Sequence, residues 1–105
     1  MSAENFLNDY LSDYSSLIMD NMDVVSDLIR VRNCIMEAHK ADHKTIICGN
    51  GGSAAMASHV SVDLTKNAGL RCINFNEADL ITCFANDYGF EHWVAEAVGF
   101  YGDEG

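Results

Sequence analysis

The chain has 105 residues, 49% of them hydrophobic and 21% charged, which is typical of one globular domain and argues against a disordered chain. Six Lys and Arg residues stand against sixteen Asp and Glu residues, so the formal net charge is −10. Because non-specific binding to nucleic acid and to anionic membranes depends on Lys and Arg, this balance argues against both partners. An anionic ligand is therefore expected to be held mainly by backbone N–H groups.

The first residues carry no basic segment, and no apolar run approaches the roughly 18 residues of a membrane span, so we expect a cytoplasmic protein. The four cysteines, Cys34, Cys48, Cys72 and Cys83, are spaced too widely for C-x-x-C motifs, and no disulfide framework is expected. Cys48 and Cys72 lie in apolar runs and are predicted to pack as small hydrophobes.

Two helical patterns come first. In each, apolar residues recur at three- and four-residue steps, and the back face is polar. The first stripe consists of Phe6, Tyr10, Leu11, Tyr14, Leu17 and Ile18, and the second runs from Val24 to about Lys40. Each stripe is interpreted equally well as ordinary core or as a contact between subunits.

Strands and helices then alternate. The patterns predict a buried strand over 44–48, a glycine-rich turn over 49–53, a helix over 54–66 and a second strand over 71–75. Asn76 is predicted to cap a helix that includes 79–84, residues 86–89 to form a turn, and residues 90–98 to form a last helix. Alternating βα units imply a parallel sheet with helices on both faces. Two strands are few for such a sheet, since five or six are typical.

The glycine-rich turn has the properties of a phosphate cradle. Gly49-Asn50-Gly51-Gly52-Ser53 links the first strand to a helix. Glycines let the backbone approach a ligand closely, and the first N–H groups of a helix are unpaired at the positive end of its dipole. The Ser53 hydroxyl is predicted to add a donor and to cap the helix.

Three interpretations of this turn compete. A tight βα turn without a ligand is the simplest. A dinucleotide fingerprint matches Gly49, Gly51 and Ala54, but the second strand lacks an acidic residue near its end, with Glu77 just beyond it. A P-loop is excluded because no Gly-Lys-Ser/Thr follows. The third interpretation is a site for a sugar phosphate.

The segment from Ile47 to Ala54 resembles the opening motif of sugar isomerase (SIS) domains, and more closely that of phosphoheptose (sedoheptulose 7-phosphate) isomerases. The resemblance continues in order through His59 with Asp63-Leu64-Thr65, Ala85 to Phe90, Ala95 to Gly99, and Gly102-Asp103. It implies the N-terminal half of a three-layer αβα sandwich with a parallel sheet, flavodoxin- or Rossmann-like, preceded by two helices. The expected organisation is an N-terminal helical segment over 1–40, which makes an oligomer contact, and a partial SIS domain over 41–105.

The resemblance also implies the site residues. Asn50, Gly51, Gly52 and Ser53 would bind the substrate phosphate. His59, Asp63 and Asp87 would be catalytic, and His59 and Asp63 would also bind zinc, because residues at i and i+4 share a helix face. The alternatives are a core or surface role for His59 and a capping role for Asp87.

The implied reaction is an aldose–ketose isomerisation that converts sedoheptulose 7-phosphate to D-glycero-D-manno-heptose 7-phosphate through a cis-enediol, in heptose biosynthesis for lipopolysaccharide or capsule. The expected partners are a sugar phosphate and further copies of the chain in a dimer or tetramer.

Two differences from the family's usual motifs favour a truncated and inactive chain. Asp63 replaces the family's usual Glu, and the family's Ser-Thr-Ser-Gly-Asn-Ser loop and later Gln and His do not occur in this sequence. A non-catalytic SIS module that binds sugar phosphate or acts as a regulator or adaptor is the alternative, and a dinucleotide-binding oxidoreductase is a distant third.

Overall fold

A computed structural model describes residues Met1–Glu104, and Gly105, at the end of the predicted 41–105 domain, lies outside the described residues. Five helices and two strands follow the predicted order: α1 (Ala3–Met19), α2 (Val25–Lys40), β1 (Thr45–Ile47), α3 (Gly52–Lys66), β2 (Cys72–Asn74), α4 (Ala78–Tyr88) and α5 (Trp93–Tyr101), with a short 3₁₀ turn at Met22–Val24. No helix among residues 1–104 is both long and apolar enough to cross a membrane.

The chain divides into two compact units, Met1–Cys34 and a second unit that starts at Ile35. The first unit contains α1 and most of α2. The Ser2 hydroxyl caps α1 by accepting a hydrogen bond from the Asn5 N–H at 3.1 Å. No residue of α1 or α2 is buried, and the six apolar residues of the first predicted stripe are 51–63% exposed. The apolar face of α1 is therefore open to solvent in the single chain.

The second unit is built around β1 and β2, which pair in parallel with Thr45 opposite Cys72 and Ile47 opposite Asn74. Successive side chains of a strand point to opposite faces of the sheet. Asn74 reaches α3, whereas Ile46 and Ile73 join the core formed with α5. Helices therefore lie on both faces of this small sheet, as the alternation of elements predicted.

The core of the second unit is small. Phe75, Trp93 and Ala97 are at most 6% exposed and form its centre. Partly buried side chains from both strands, α4 and α5 pack around it: Ile46, Ile73, Leu80, Ile81, Phe84 and Val94. Burial of such apolar surface is the main stabilising contribution, at about 25 cal/mol per Å².

Several local predictions were wrong. Glu77, not Asn76, caps α4, and its carboxylate accepts from the Leu80 N–H at 2.8 Å. The predicted turn over 86–89 is helical up to Tyr88, and only Gly89, with φ 93°, ends the helix.

The last helix and one cysteine also differ from their predictions. Phe90 lies before α5, which starts at Trp93, and is exposed. Cys72 is buried as predicted, but Cys48, which directly follows β1, is exposed.

Candidate functional site

Gly49 allows α3 to begin directly against the end of β1. A Cβ on this residue would lie 2.3 Å from the Ser53 carbonyl carbon, 2.4 Å from the Ser53 oxygen and 2.6 Å from the Ala54 nitrogen. Distances this short are not compatible with any side chain, so the helix could not start where it does. The absence of a side chain at Gly49 thus sets the position of the whole turn.

Gly51 reverses the chain between strand and helix. Its φ of 60° and ψ of −123° match the first central residue of a type II′ turn, which is dominated by glycine. The turn's hydrogen bond runs from the Ser53 N–H to the Asn50 carbonyl at 3.3 Å. Gly51 is also the N-cap of α3 and contributes no side-chain cap, so the predicted capping role of Ser53 was wrong.

The Ser53 hydroxyl closes the turn from the inside. It accepts from the Asn50 N–H and donates to the Asn50 carbonyl, both at 2.8 Å. The hydroxyl proton is therefore already bound within the turn, and these two hydrogen bonds stabilise the conformation of the turn.

Two backbone donors remain free at the tip of the turn. The Ala54 and Ala55 N–H groups both donate to the Gly51 carbonyl, at 3.1 and 3.2 Å. The N–H groups of Gly51 and Gly52 donate to no acceptor among residues 1–104. They stand at the N-terminus of α3, where the helix dipole favours negative charge. The geometry suits a phosphate or carboxylate group.

His59 and Asp63 meet on α3. The His59 Nε2 and the Asp63 Oδ2 are 3.4 Å apart, with the side chains 81% and 49% exposed. The other carboxylate oxygen of Asp63 accepts from the Asn67 amide at 3.2 Å. His59 lies about 9 Å along the helix axis from Ser53. The predicted pairing on one helix face is present, and it lies on the face opposite the buried Ala57 and Ser61.

The donor set for zinc is incomplete in the described residues. His59 and Asp63 offer one imidazole and one carboxylate, whereas a catalytic zinc site uses three protein ligands. No group of three or more His, Cys, Asp or Glu side chains suited to a metal ion occurs within residues 1–104. The two side chains alone do not fit a catalytic zinc centre.

Asp87 lies on α4, away from these contacts. Its carboxylate accepts from the Asn86 amide at 3.1 Å and from the Cys83 thiol at 3.7 Å. The negative charge of Asp87 is the main reason why the pKa of Cys83 is raised. Across the described part of the chain, no hydrogen bond or ion pair joins Asp87 to the glycine turn or to His59.

Sequence reasoning missed two asparagines that bind α3. The Asn76 amide donates to the Ala54 carbonyl at 2.7 Å and to the Ser58 hydroxyl at 2.6 Å. The Asn74 amide donates to the Ser61 hydroxyl at 2.8 Å. These bonds cross 13 to 22 positions of sequence, so no local pattern reveals them. The only available signal was the pair of asparagines, two positions apart, at the end of a strand.

The chain is similar in sequence to curated phosphoheptose isomerases. A curated phosphoheptose isomerase from Hamiltonella defensa is 33% identical over 108 residues, which cover 98% of this chain and 48% of that protein. One from Fusobacterium nucleatum is 42% identical over 67 residues, which cover 59% of this chain and 34% of that protein. The chain thus spans at most about half the length of these curated relatives. No family model matches it.

The fold agrees as well. The structure of phosphoheptose isomerase GmhA from Neisseria gonorrhoeae superposes with a TM-score of 0.80 at 25% identity, covering 94% of this chain and 54% of that one. In sequence and in fold, the chain is phosphoheptose isomerase-like and corresponds to the N-terminal portion of that family.

Proposed function

We propose that this chain carries the phosphate-binding part of a phosphoheptose isomerase site, with sedoheptulose 7-phosphate as the substrate. The observation that carries the proposal is the pair of free N–H groups, Gly51 and Gly52, at the N-terminus of α3. Backbone donors are the appropriate means of binding an anion in a chain with a net charge of −10. The phosphate would accept from these two groups, and Asn50 and Ser53 would hold the turn in shape.

The chemistry proposed beside this turn is proton transfer between neighbouring carbons. A base removes a proton from C1 of the ketose, and the cis-enediol that forms is protonated at C2. Over the same steps the C2 oxygen gains a proton and the C1 hydroxyl loses one, so the atoms balance. Asp63 and His59 are the candidate base and acid, since carboxylate and imidazole perform such transfers. Zinc binding and a role for Asp87 stay predictions from the resemblance, and no step is derived through a metal.

The finer fold proposed is half of a three-layer αβα sandwich. In a parallel ladder the N–H and carbonyl of Cys72 point away from β1, and the Thr65 hydroxyl lies 3.3 and 3.1 Å from them. That edge of β2 is therefore occupied. The chain after α5 returns to the start of β1, because Asp103 pairs with Lys44 at 2.6 Å. A further parallel strand would accordingly pair along β1.

A non-catalytic module that binds sugar phosphate is the second candidate function. Two observations favour it. The Asp63 carboxylate, which replaces the family's longer Glu, is already engaged by both His59 and Asn67. In addition, the described residues bring together only two of the three side chains proposed to be catalytic.

An isomerase assay with sedoheptulose 7-phosphate, with and without added zinc, separates the two candidates. The enzyme proposal predicts turnover that Asp63→Ala abolishes while phosphate binding at the turn persists. Asp9→Ala is the matched control, because Asp9 lies on α1 in the other unit and should leave turnover unchanged. Binding without turnover under both conditions would contradict the enzyme and support the binding module.

A further inference from the structure

Asn76 forms a bridge between the segment after β2 and the start of α3, the helix whose N-terminus carries the proposed phosphate site. It lies just after β2, and its side-chain amide uses one proton on the Ala54 carbonyl and one on the Ser58 hydroxyl. Both acceptors belong to the first turns of α3. Among residues 1–104, this is the one side-chain hydrogen bond from outside the turn and α3 that reaches residues 50–57.

Two hydrogen bonds connect the Asn76 side chain with the peptide unit that carries the free Gly52 N–H group. Ala54 accepts from Asn76 through its carbonyl and donates through its own N–H to the Gly51 carbonyl at 3.1 Å. The carbonyl of Gly51 and the N–H of Gly52 belong to the same peptide unit, which is planar and rigid. The orientation of the Gly52 donor is thus linked to the Asn76 amide through Ala54 and the Gly51 carbonyl.

Asn76 is itself held in place. Its backbone N–H donates to the Asn74 side-chain oxygen at 2.9 Å, and the Asn74 amide in turn donates to the Ser61 hydroxyl at 2.8 Å. Ser61 is buried against the sheet and donates to the Ser58 carbonyl at 2.8 Å. Asn76 is therefore held both at its backbone N–H and at its side-chain NH₂ group.

We propose that Asn76 is a positioning residue for the phosphate-binding turn, fixing the first turn of α3 so that the Gly51 and Gly52 N–H groups point at one ligand. The inference rests on the proposed function, since it assigns a role in that same site. It is distinct from a general contribution to stability, which any contact between α3 and β2 makes.

Thr65 supplies the matched control. Its hydroxyl also links α3 to β2, through Cys72, but at the far end of the helix from the turn. Thr65→Val keeps the side-chain shape and removes that link. We expect both Thr65→Val and Asn76→Ala to lower the midpoint of urea denaturation, because each removes side-chain hydrogen bonds between α3 and the β2 segment.

The test is a titration of the full chain with inorganic phosphate, followed by NMR of the Gly51 and Gly52 amides well below the unfolding temperature. Asn76→Ala is expected to shift both amide signals before phosphate is added and to raise the Kd roughly three- to tenfold. Thr65→Val is expected to leave both the signals and the Kd at their wild-type values.

Equal Kd values for the wild type and Asn76→Ala would overturn the inference, and so would an equal loss of affinity in Thr65→Val. Ser58→Ala removes one of the two acceptors, and a smaller rise in Kd is expected. Should Asn76→Ala not fold, an unchanged Kd in Ser58→Ala overturns the inference. If the Gly51 and Gly52 amide signals of the wild-type chain do not move when phosphate is added, the proposed phosphate site is wrong, and this inference is wrong with it.

Discussion

At the scale of single residues, the glycines of the turn have different tasks. Gly49 is needed because a Cβ would collide with the backbone of Ser53 and Ala54. Gly51 is needed because its φ of 60° and ψ of −123° are accessible almost only to glycine. Gly52 has neither constraint, since nothing lies within 4 Å of its Cβ position. The G-N-G-G-S motif therefore combines a packing requirement at Gly49 with a conformational requirement at Gly51.

Gly49→Ala is predicted to destabilise the fold by about 3 kcal/mol, because the start of α3 must move to admit the methyl group. Gly99→Ala is the matched control. Gly99 lies within α5, nothing surrounds its Cβ position, and alanine should stabilise the helix by about 0.5–1 kcal/mol. Chemical denaturation measures both effects. A midpoint for Gly49→Ala equal to that of the wild type would show that the strand and helix are not packed as described.

The N-cap of α4 is a feature that local sequence patterns did not predict correctly. Asn is a good helix cap, so the local pattern assigned that role to Asn76. In the structure the Asn76 side-chain amide donates to Ala54 and Ser58, and Glu77 caps α4 instead. The partners lie 18 and 22 positions upstream, and local propensity contains no information about them.

At the scale of elements, the sequence patterns predicted the order and type of all seven helices and strands. The β-branched run at β1 and the glycines after it were sufficient to predict the unit of strand, turn and helix. The helical spacing also predicted that His59 and Asp63 meet, and they do. It could not predict which face of α3 they occupy, because that depends on Ala57 and Ser61 being the residues that pack inward.

The link between Lys44 and Asp103 connects the start of β1 with the segment after α5. The hydrogen bond from Lys44 lowers the pKa of the Asp103 carboxyl, with smaller contributions from the nearby charges of Lys44, His43 and Arg71. A carboxyl whose pKa is lower in the folded state stabilises the fold above its unfolded pKa. That contribution is lost as the pH falls through the lower, folded pKa.

Asp103→Asn is therefore predicted to reduce stability at neutral pH and to flatten the loss of stability from about pH 4 downward, the ordinary aspartate pKa being about 3.9. The measurement is urea denaturation at a series of pH values. Asp9→Asn is the control, since Asp9 forms no ion pair in the described structure. An acid profile for Asp103→Asn that is identical to the wild type would contradict a structural role for the pair.

At the scale of the whole molecule, two surfaces have no partner among residues 1–104. The apolar stripe of α1 is exposed along its length. The backbone groups of Ile46 point to the edge of β1 opposite β2, where no hydrogen-bond partner lies among residues 1–104. Exposed apolar stripes and open sheet edges are typical of surfaces that bind further protein.

We propose that the α1 stripe mediates a homo-oligomer, a dimer or a tetramer. Light scattering should then give a mass that is a multiple of one chain. Tyr14→Glu, at the centre of the stripe, is predicted to shift the mass towards the monomer, whereas Ser12→Glu on the opposite face of the same helix should not. A monodisperse monomer for the wild type would count against the proposal.

We propose above that the Gly51 and Gly52 N–H groups bind the phosphate of a sugar phosphate. The most direct measurement follows these two amide signals by NMR during parallel titrations with sedoheptulose 7-phosphate and with unphosphorylated sedoheptulose. Phosphate binding at the turn predicts saturable movement of both signals with the phosphorylated sugar and no movement with the free sugar. Signals that stay in place with sedoheptulose 7-phosphate, or that move equally with both sugars, would contradict it.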